Sequence, residues 1–246
     1  MKETKVLIEV QPLAFILQGA FCFLRSYVKE VIEMTAKTAS TTKVRAQVHT
    51  EKVNSIRFIA ITGVLTAVAV VLQYLEFPVP MFIPGFVKFD FSDLPAILAA
   101  FLVSPVSGIL VCLLKNVIHM AVSMSAGVGE LCNCLLGIAM VIPAWLIYKV
   151  KPSKGTAALA MLGGCVIVSL ASLPINFFIT YPFYENFYGL PMEAILGMYR
   201  EINNGVGSLW DALIWFNMPF TFVKFLLDSI VVFFIYKPLA RVTRKY

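Results

Sequence analysis

The chain is 246 residues long, 59% hydrophobic and only 14% charged, with a net charge of +6 at neutral pH and a mean hydropathy of +0.84. Soluble domains carry about a quarter charged residues, so a water-soluble globular fold, a disordered chain, a coiled coil and a disulfide-stapled secreted domain are all excluded. The basic residues flank apolar runs instead of forming a face of their own, which marks membrane topology and argues against nucleic acid as a partner.

Residues 1–55 form an N-terminal extension, rich in charge, with one apolar stretch from Pro12 to Leu24. Thirteen residues cannot cross about 30 Å of hydrocarbon, and Gln18 interrupts them. Glu3 and Glu9 precede the stretch and no small-residue cleavage site follows it, so it is not a clean signal peptide. An interfacial helix is one reading and a true start at Met34 is another. Residues 35–55 are polar, small and basic and read as a flexible cytoplasmic tail.

From Ile56 the apolar runs become regular and define a membrane domain over 56–246. Ile56–Tyr74 is a first span, and residues 77–92, with Pro78, Pro80, Pro84 and Gly85, form a loop. Asp93–Val103 is apolar but short and is broken by Ser104-Pro105. Val106–Val122, Leu131–Tyr148, Thr156–Thr180 and Leu213–Tyr236 complete the set, with a polar and aromatic connection at 181–210. Lys/Arg cluster before the first span, at 149–154 and after the last, whereas the 77–92 and 181–210 loops hold only Lys88 and Arg200. The positive-inside rule then places both termini in the cytoplasm. Four crossings must precede Lys149, so the short second segment has to cross, borrowing extended residues shielded by protein. The expected fold is an all-α integral membrane protein of six transmembrane helices.

Charged groups near the bilayer centre cost about 2.5–3.5 kcal/mol each on insertion scales, so each needs a reason. Asn217, Thr221, Lys224 and Asp228 lie 4, 3 and 4 residues apart and share one helical face, with Pro219 kinking the same helix. Either Lys224 and Asp228 neutralise each other or the stripe lines a cavity. Glu130 and Asn133 are i, i+3 at the start of the fourth span, and Ser172, Asn176 and Thr180 repeat along the fifth beside Pro174. Three polar stripes converging near the 77–92 loop suit a pocket for a small polar-aromatic ligand; helix–helix hydrogen bonds are the alternative. Lys115 and His119, i and i+4 in the third span, read as a buried clamp to Asp90 or Asp93, in preference to a proton relay. Gly63 and Ala67 form a small-xxx-small pair on the first span, which permits close approach of another helix. Five cysteines lie in or beside apolar runs, and Cys132 and Cys134 read as small buried hydrophobes, not a metal pair. No phosphate loop, zinc-protease motif or nucleophile elbow is present in the sequence.

The segment Phe77–Gly137 resembles the substrate-binding S components of energy-coupling-factor (ECF) vitamin transporters, and more narrowly the riboflavin-specific ones. The resemblance rests on F-P-x-P (Phe77–Pro80), K-x-D-F-S-D-x-P (Lys88–Pro95), L-L-K-N-V-I-H (Leu113–His119) and G-V-G-E-L-x-N (Gly127–Asn133). The last helix, F-N-M-P-F-x-x-x-K (Phe216–Lys224), also fits, and the likeness covers about residues 56–240. It implies a non-enzymatic subunit of a multi-pass importer in the bacterial cytoplasmic membrane. That subunit would bind riboflavin as transported substrate and need no cofactor or metal of its own. Its partners would be a transmembrane coupling subunit, contacted through Gly63 and Ala67, and two cytoplasmic ATPase subunits, which accounts for the missing phosphate loop. Flavin contacts carried over are Asn176, Thr221 and Lys224, with Glu130, Asn133 and the loop residues Phe77 and Pro78 nearby. The family often shows Asn where Thr221 stands, and Asn217 one turn earlier is placed to compensate. Rival expectations are an S component for another vitamin or a modified nucleobase, and a small membrane enzyme using Lys115/His119 or Lys224/Asp228.

Overall fold

The computed structural model describes residues 44–123, 127–187 and 189–245. By contact the chain divides into residues 1–54 and residues 55–246, and the second unit carries the candidate site. The Pro12–Leu24 segment lies outside the described residues. Helix α1 (Val44–Tyr74) begins within the stretch expected as a flexible tail.

A two-stranded antiparallel ribbon follows, β1 (Phe77–Pro78) and β2 (Lys88–Phe89), pairing Phe77 with Phe89 and Pro78 with Lys88. Then come α2 (Leu94–Leu102), α3 (Pro105–His119), α4 (Val128–Val150), α5 (Lys154–Ile175), α6 (Tyr181–Asn186), α7 (Met192–Ile202), α8 (Leu209–Ala212) and α9 (Met218–Lys245). The boundaries follow from local chemistry. Ser104 and Ser153 accept from the backbone N–H of Ser107 and Thr156, capping α3 and α5. Pro105 stands at the first turn of α3, where a missing N–H costs nothing. Ser208 and Asp211 form a reciprocal capping box at α8. Gly127 takes φ 87° at the start of α4, a left-handed turn that a side chain would strain.

Two turns depart from α geometry. Asn176–Thr180 joins α5 to α6 as a π-helical turn, and Leu213–Asn217 joins α8 to α9 as another. Each ends two residues before a proline, Pro182 and Pro219. Proline has no N–H for the carbonyl four residues back and its ring crowds that carbonyl. Those carbonyls belong to Phe178 and Trp215, both inside the widened turns. The kink expected at Pro219 is thus realised as a π turn, a feature frequent at functional sites.

Five continuous helical stretches among the described residues are long and apolar enough to span a membrane: Ser55–Tyr74, Pro105–Val122, Val128–Val150, Lys154–Asn186 and Leu209–Leu239. The chain is a multi-pass, mostly helical membrane protein. The short second run forms α2, only nine residues long; it is nevertheless buried along Pro95–Ala100. Gly108 of α3 lets α2 approach, since a Cβ there would sit 2.8 Å from the Ala96 carbonyl oxygen and 2.8 Å from Val141 Cγ1.

Polarity is inverted relative to a soluble protein. Exposed positions carry Val64, Leu113, Leu159, Val166, Leu170 and Phe234, whereas Thr62, Gln73, Ser107, Asn116, Ser169 and Ser172 are buried. Thr62 and Ser107 hydroxyls meet at 2.7 Å, and Gln73 Nε2 donates to Asn116 Oδ1 at 3.0 Å, so α1 is joined to α3 by side-chain hydrogen bonds. Gly63 and Ala67 lie on the opposite, exposed side of α1. An apolar cluster around Met140, Met161, Phe225 and Tyr236 fills one end of the bundle. A second, around Ile83, Tyr181, Ile195, Tyr199 and Leu213, fills the end that carries the 77–92 loop.

Candidate functional site

A cavity of about 380 Å³ lies where the 85–90 loop, the start of α4, both π turns and α9 converge. That is within the range of small-molecule sites, about 300–1,000 Å³. Glu130, Asn133, Asn176, Asn217, Thr221 and Lys224 all line it. Phe77 and Pro78 do not: they form β1 and are exposed, with the Phe77 ring 5.5 Å from that of Phe89. Their contribution is to hold β2, whose far end delivers Lys88 and Asp90 to the cavity wall. Apolar walls come from Phe86, Leu136, Tyr181, Tyr184, Leu190, Phe220 and Phe225.

The floor is ionic. Lys224 Nζ donates to Asp90 Oδ2 at 2.9 Å and to Asn133 Oδ1 at 3.2 Å, and lies 3.0 Å from Asp93 Oδ2. Mutual neutralisation of Lys224 with Asp228 is therefore not what the helix makes. Asp228 is fully buried and neither of its carboxylate oxygens has a hydrogen-bond partner. The ammonium is instead taken by the 90–93 segment and by Asn133 of α4.

Lys115 makes the clamp expected of it, with Nζ 2.7 Å from Asp93 Oδ1 and a further bond to Ser92 Oγ. Gly137 of α4 makes room, because a Cβ there would stand 3.0 Å from Asp93 Oδ1 and 2.8 Å from Cys112 Sγ. His119 takes a different partner from the one expected. Its Nδ1 lies 2.9 Å from Glu130 Oε1, and Ser123 Oγ donates to Glu130 Oε2 at 2.7 Å. Glu76, ion-paired with Lys88, stands 4.0 Å from His119 Nε2. The end of α1, β2, α3 and α4 are thus tied together at the rim.

Asn176 and Asn217 are hydrogen-bonded within the protein as well. Asn176 Nδ2 donates to Ser172 O at 2.8 Å, and Cys132 Sγ lies 3.6 Å from Asn176 Oδ1. Asn217 Nδ2 donates to Tyr181 Oη at 2.9 Å, while Tyr199 Oη donates to Asn217 Oδ1 at 2.6 Å. The four described cysteines are free and buried. No cluster of three or more His, Cys, Asp or Glu suited to a metal ion exists among the described residues. Sequence reasoning did not single out Gln73, Phe86, Tyr181, Tyr184 or Phe220 as lining residues. The aromatics carried no periodic signal, and only the richness of the 181–210 connection in Tyr and Phe pointed to that end of the molecule.

The family model of the ECF transporter substrate-specific component matches residues 57–236. The riboflavin transporter RibU of Staphylococcus aureus (strain TCH60) is 31% identical over 183 residues, which cover 74% of this chain and 90% of that protein. The riboflavin transporter FmnP of Bacillus subtilis (strain 168) is 29% identical over 180 residues, 72% of this chain and 88% of that one. A solved structure described as the S component of a bacterial ECF transporter superposes with a TM-score of 0.60 at 30% identity, covering 76% of this chain and 98% of the other.

Proposed function

The chain belongs to the family of ECF transporter substrate-specific components, and on that premise we propose that it captures riboflavin for import through the cytoplasmic membrane. The observation that carries this reading is the cavity itself: flat aromatic walls enclosing amide, hydroxyl and carboxylate groups at one end of the bundle. An isoalloxazine is a flat apolar body with carbonyl and imide edges, suited to Phe86 and Tyr184 on its faces and to Asn217, Thr221 and Asn176 at its rim. The ribityl hydroxyls suit Glu130 and the backbone of the 85–88 loop. Lys224 has three donors, and Asp90, Asp93 and Asn133 already surround it. Its part is to hold the loop that floors the pocket, with the ligand meeting the network as a whole.

Six crossings with both termini inside follow if α2 counts as one. Nine helical residues rise only about 14 Å, and the buried segment from Phe89 to Asp93 supplies the rest of the crossing, its polar groups satisfied by Lys115 and Lys224. The exposed pair Gly63 and Ala67, with nothing within 4 Å of a Cβ at Gly63, is the face for the coupling subunit; two ATPase subunits supply the energy. Titrating detergent-purified protein with riboflavin and following quenching of flavin fluorescence tests the assignment. Saturable binding at one flavin per chain is the expected result, and a folded protein that leaves micromolar riboflavin unquenched refutes it.

A further inference from the structure

Asn217 is held by a closed ring of hydrogen bonds that reaches outside the cavity. Tyr199 Oη donates to Asn217 Oδ1, Asn217 Nδ2 donates to Tyr181 Oη, and the two phenol oxygens are hydrogen-bonded to each other. Because the Tyr199 proton is committed to Asn217, the Tyr181 hydroxyl donates to Tyr199, and all three groups are satisfied in one direction around the ring. Tyr181 and Asn217 line the cavity but Tyr199 does not. Tyr199 sits on α7, inside the 181–210 connection, and is fully buried. Its ring packs 5.4 Å from Phe216 and 6.4 Å edge-on from Phe86, another cavity residue.

A carboxamide carries two N–H donors and an oxygen with two lone pairs. The ring uses one donor and one lone pair and fixes the amide plane, leaving one of each for a ligand. Asn217 also closes a π turn, where one extra residue alters the direction of its side chain relative to an α-helix. The direction is therefore set by tertiary partners. We infer that Tyr199 is a positioning residue for substrate selectivity: it orients the Asn217 amide toward the polar edge of the bound ring system without touching the ligand. This rests on the riboflavin reading above, and it gives α7 a task beyond closing a loop.

The test is a cycle of Tyr199→Phe, Asn217→Ala and the double variant. Affinity for riboflavin and for lumiflavin, which keeps the ring system and lacks the ribityl chain, is measured by fluorescence quenching. Tyr199→Phe keeps the packing and removes both hydrogen bonds of the hydroxyl, the one that fixes the Asn217 amide among them, and the expected loss of affinity is about five- to tenfold. The loss should be equal for riboflavin and lumiflavin, because the amide addresses the ring edge. The double variant should bind no more weakly than Asn217→Ala alone. Additive losses, or a loss confined to riboflavin, overturn the positioning role. Should Asn217→Ala not fold, the riboflavin-to-lumiflavin ratio in Tyr199→Phe decides alone. Failure of the unaltered protein to bind either flavin overturns the substrate assignment instead, and so the two failures are told apart.

Discussion

Replacing Lys224 with methionine removes the cation from the cavity floor while keeping most of the side-chain volume. In the folded protein two ammonium groups, Lys115 and Lys224, face three carboxyl groups, Asp90, Asp93 and Asp228. Without Lys224, Asp90 loses that lysine's hydrogen bond, and among the described residues Asp93 keeps Lys115 as its ion-pair partner. Breaking a buried pair by removing one partner costs about 3–5 kcal/mol, which for a chain of this size corresponds to a fall in Tm of about 6–20 °C. The four buried thiols make the assay direct, since a thiol-reactive dye reports unfolding when they become accessible. Adding Asp90→Asn removes one orphaned charge and should recover at least half of the loss. Adding Asp228→Asn should recover less, because that carboxylate has no hydrogen bond to Lys224. A better rescue by Asp228→Asn than by Asp90→Asn would refute the pairing described here. The same logic warns that Lys224→Ala alone misreports ligand contact, since affinity and fold fall together.

Gly108→Ala forces a methyl against the Ala96 carbonyl and Val141 and should cost about 1–3 kcal/mol. Gly155→Ala, exposed and unobstructed, should instead be neutral or stabilising by up to about 1 kcal/mol; equal effects would show that α2 and α3 do not meet through Gly108. Gly63→Leu should abolish association with the coupling subunit, read by co-purification, while riboflavin affinity stays within about threefold, well under one hydrogen bond; loss of both would place this face inside the fold.

Hydropathy and proline placement made the long helices readable, because a span of about twenty apolar residues has few other uses. The polar stripes of α4, α5 and α9 were readable for the same reason: a charge or amide at membrane depth is costly enough to stand out. What the sequence could not reveal was who pairs with whom. Lys224 and Asp228 look like partners at i, i+4, yet the ammonium is taken by Asp90, 134 residues away. His119 likewise pairs with Glu130 and not with Asp90 or Asp93, the partners expected for it. Such choices depend on how loops fold back, and no periodicity encodes that. The aromatic walls were hidden for a related reason, since Phe86, Tyr181 and Phe220 come from three separate segments and acquire meaning only when the π turns bring those segments together.

The floor network also sets an order for biosynthesis. Asp93 meets its lysine 22 residues later, on a helix made almost at once, so that pair can be neutralised while the ribosome is still translating. Asp90 must wait until the final helix emerges. That helix in turn brings Lys224 and Asp228 to the translocon, each costing about 2.5–3.5 kcal/mol to insert unaided. A cavity already bearing Asp90 and Asp93 is the receptor that makes its entry favourable. A nascent chain that stops short of that helix leaves Asp90 buried without its lysine.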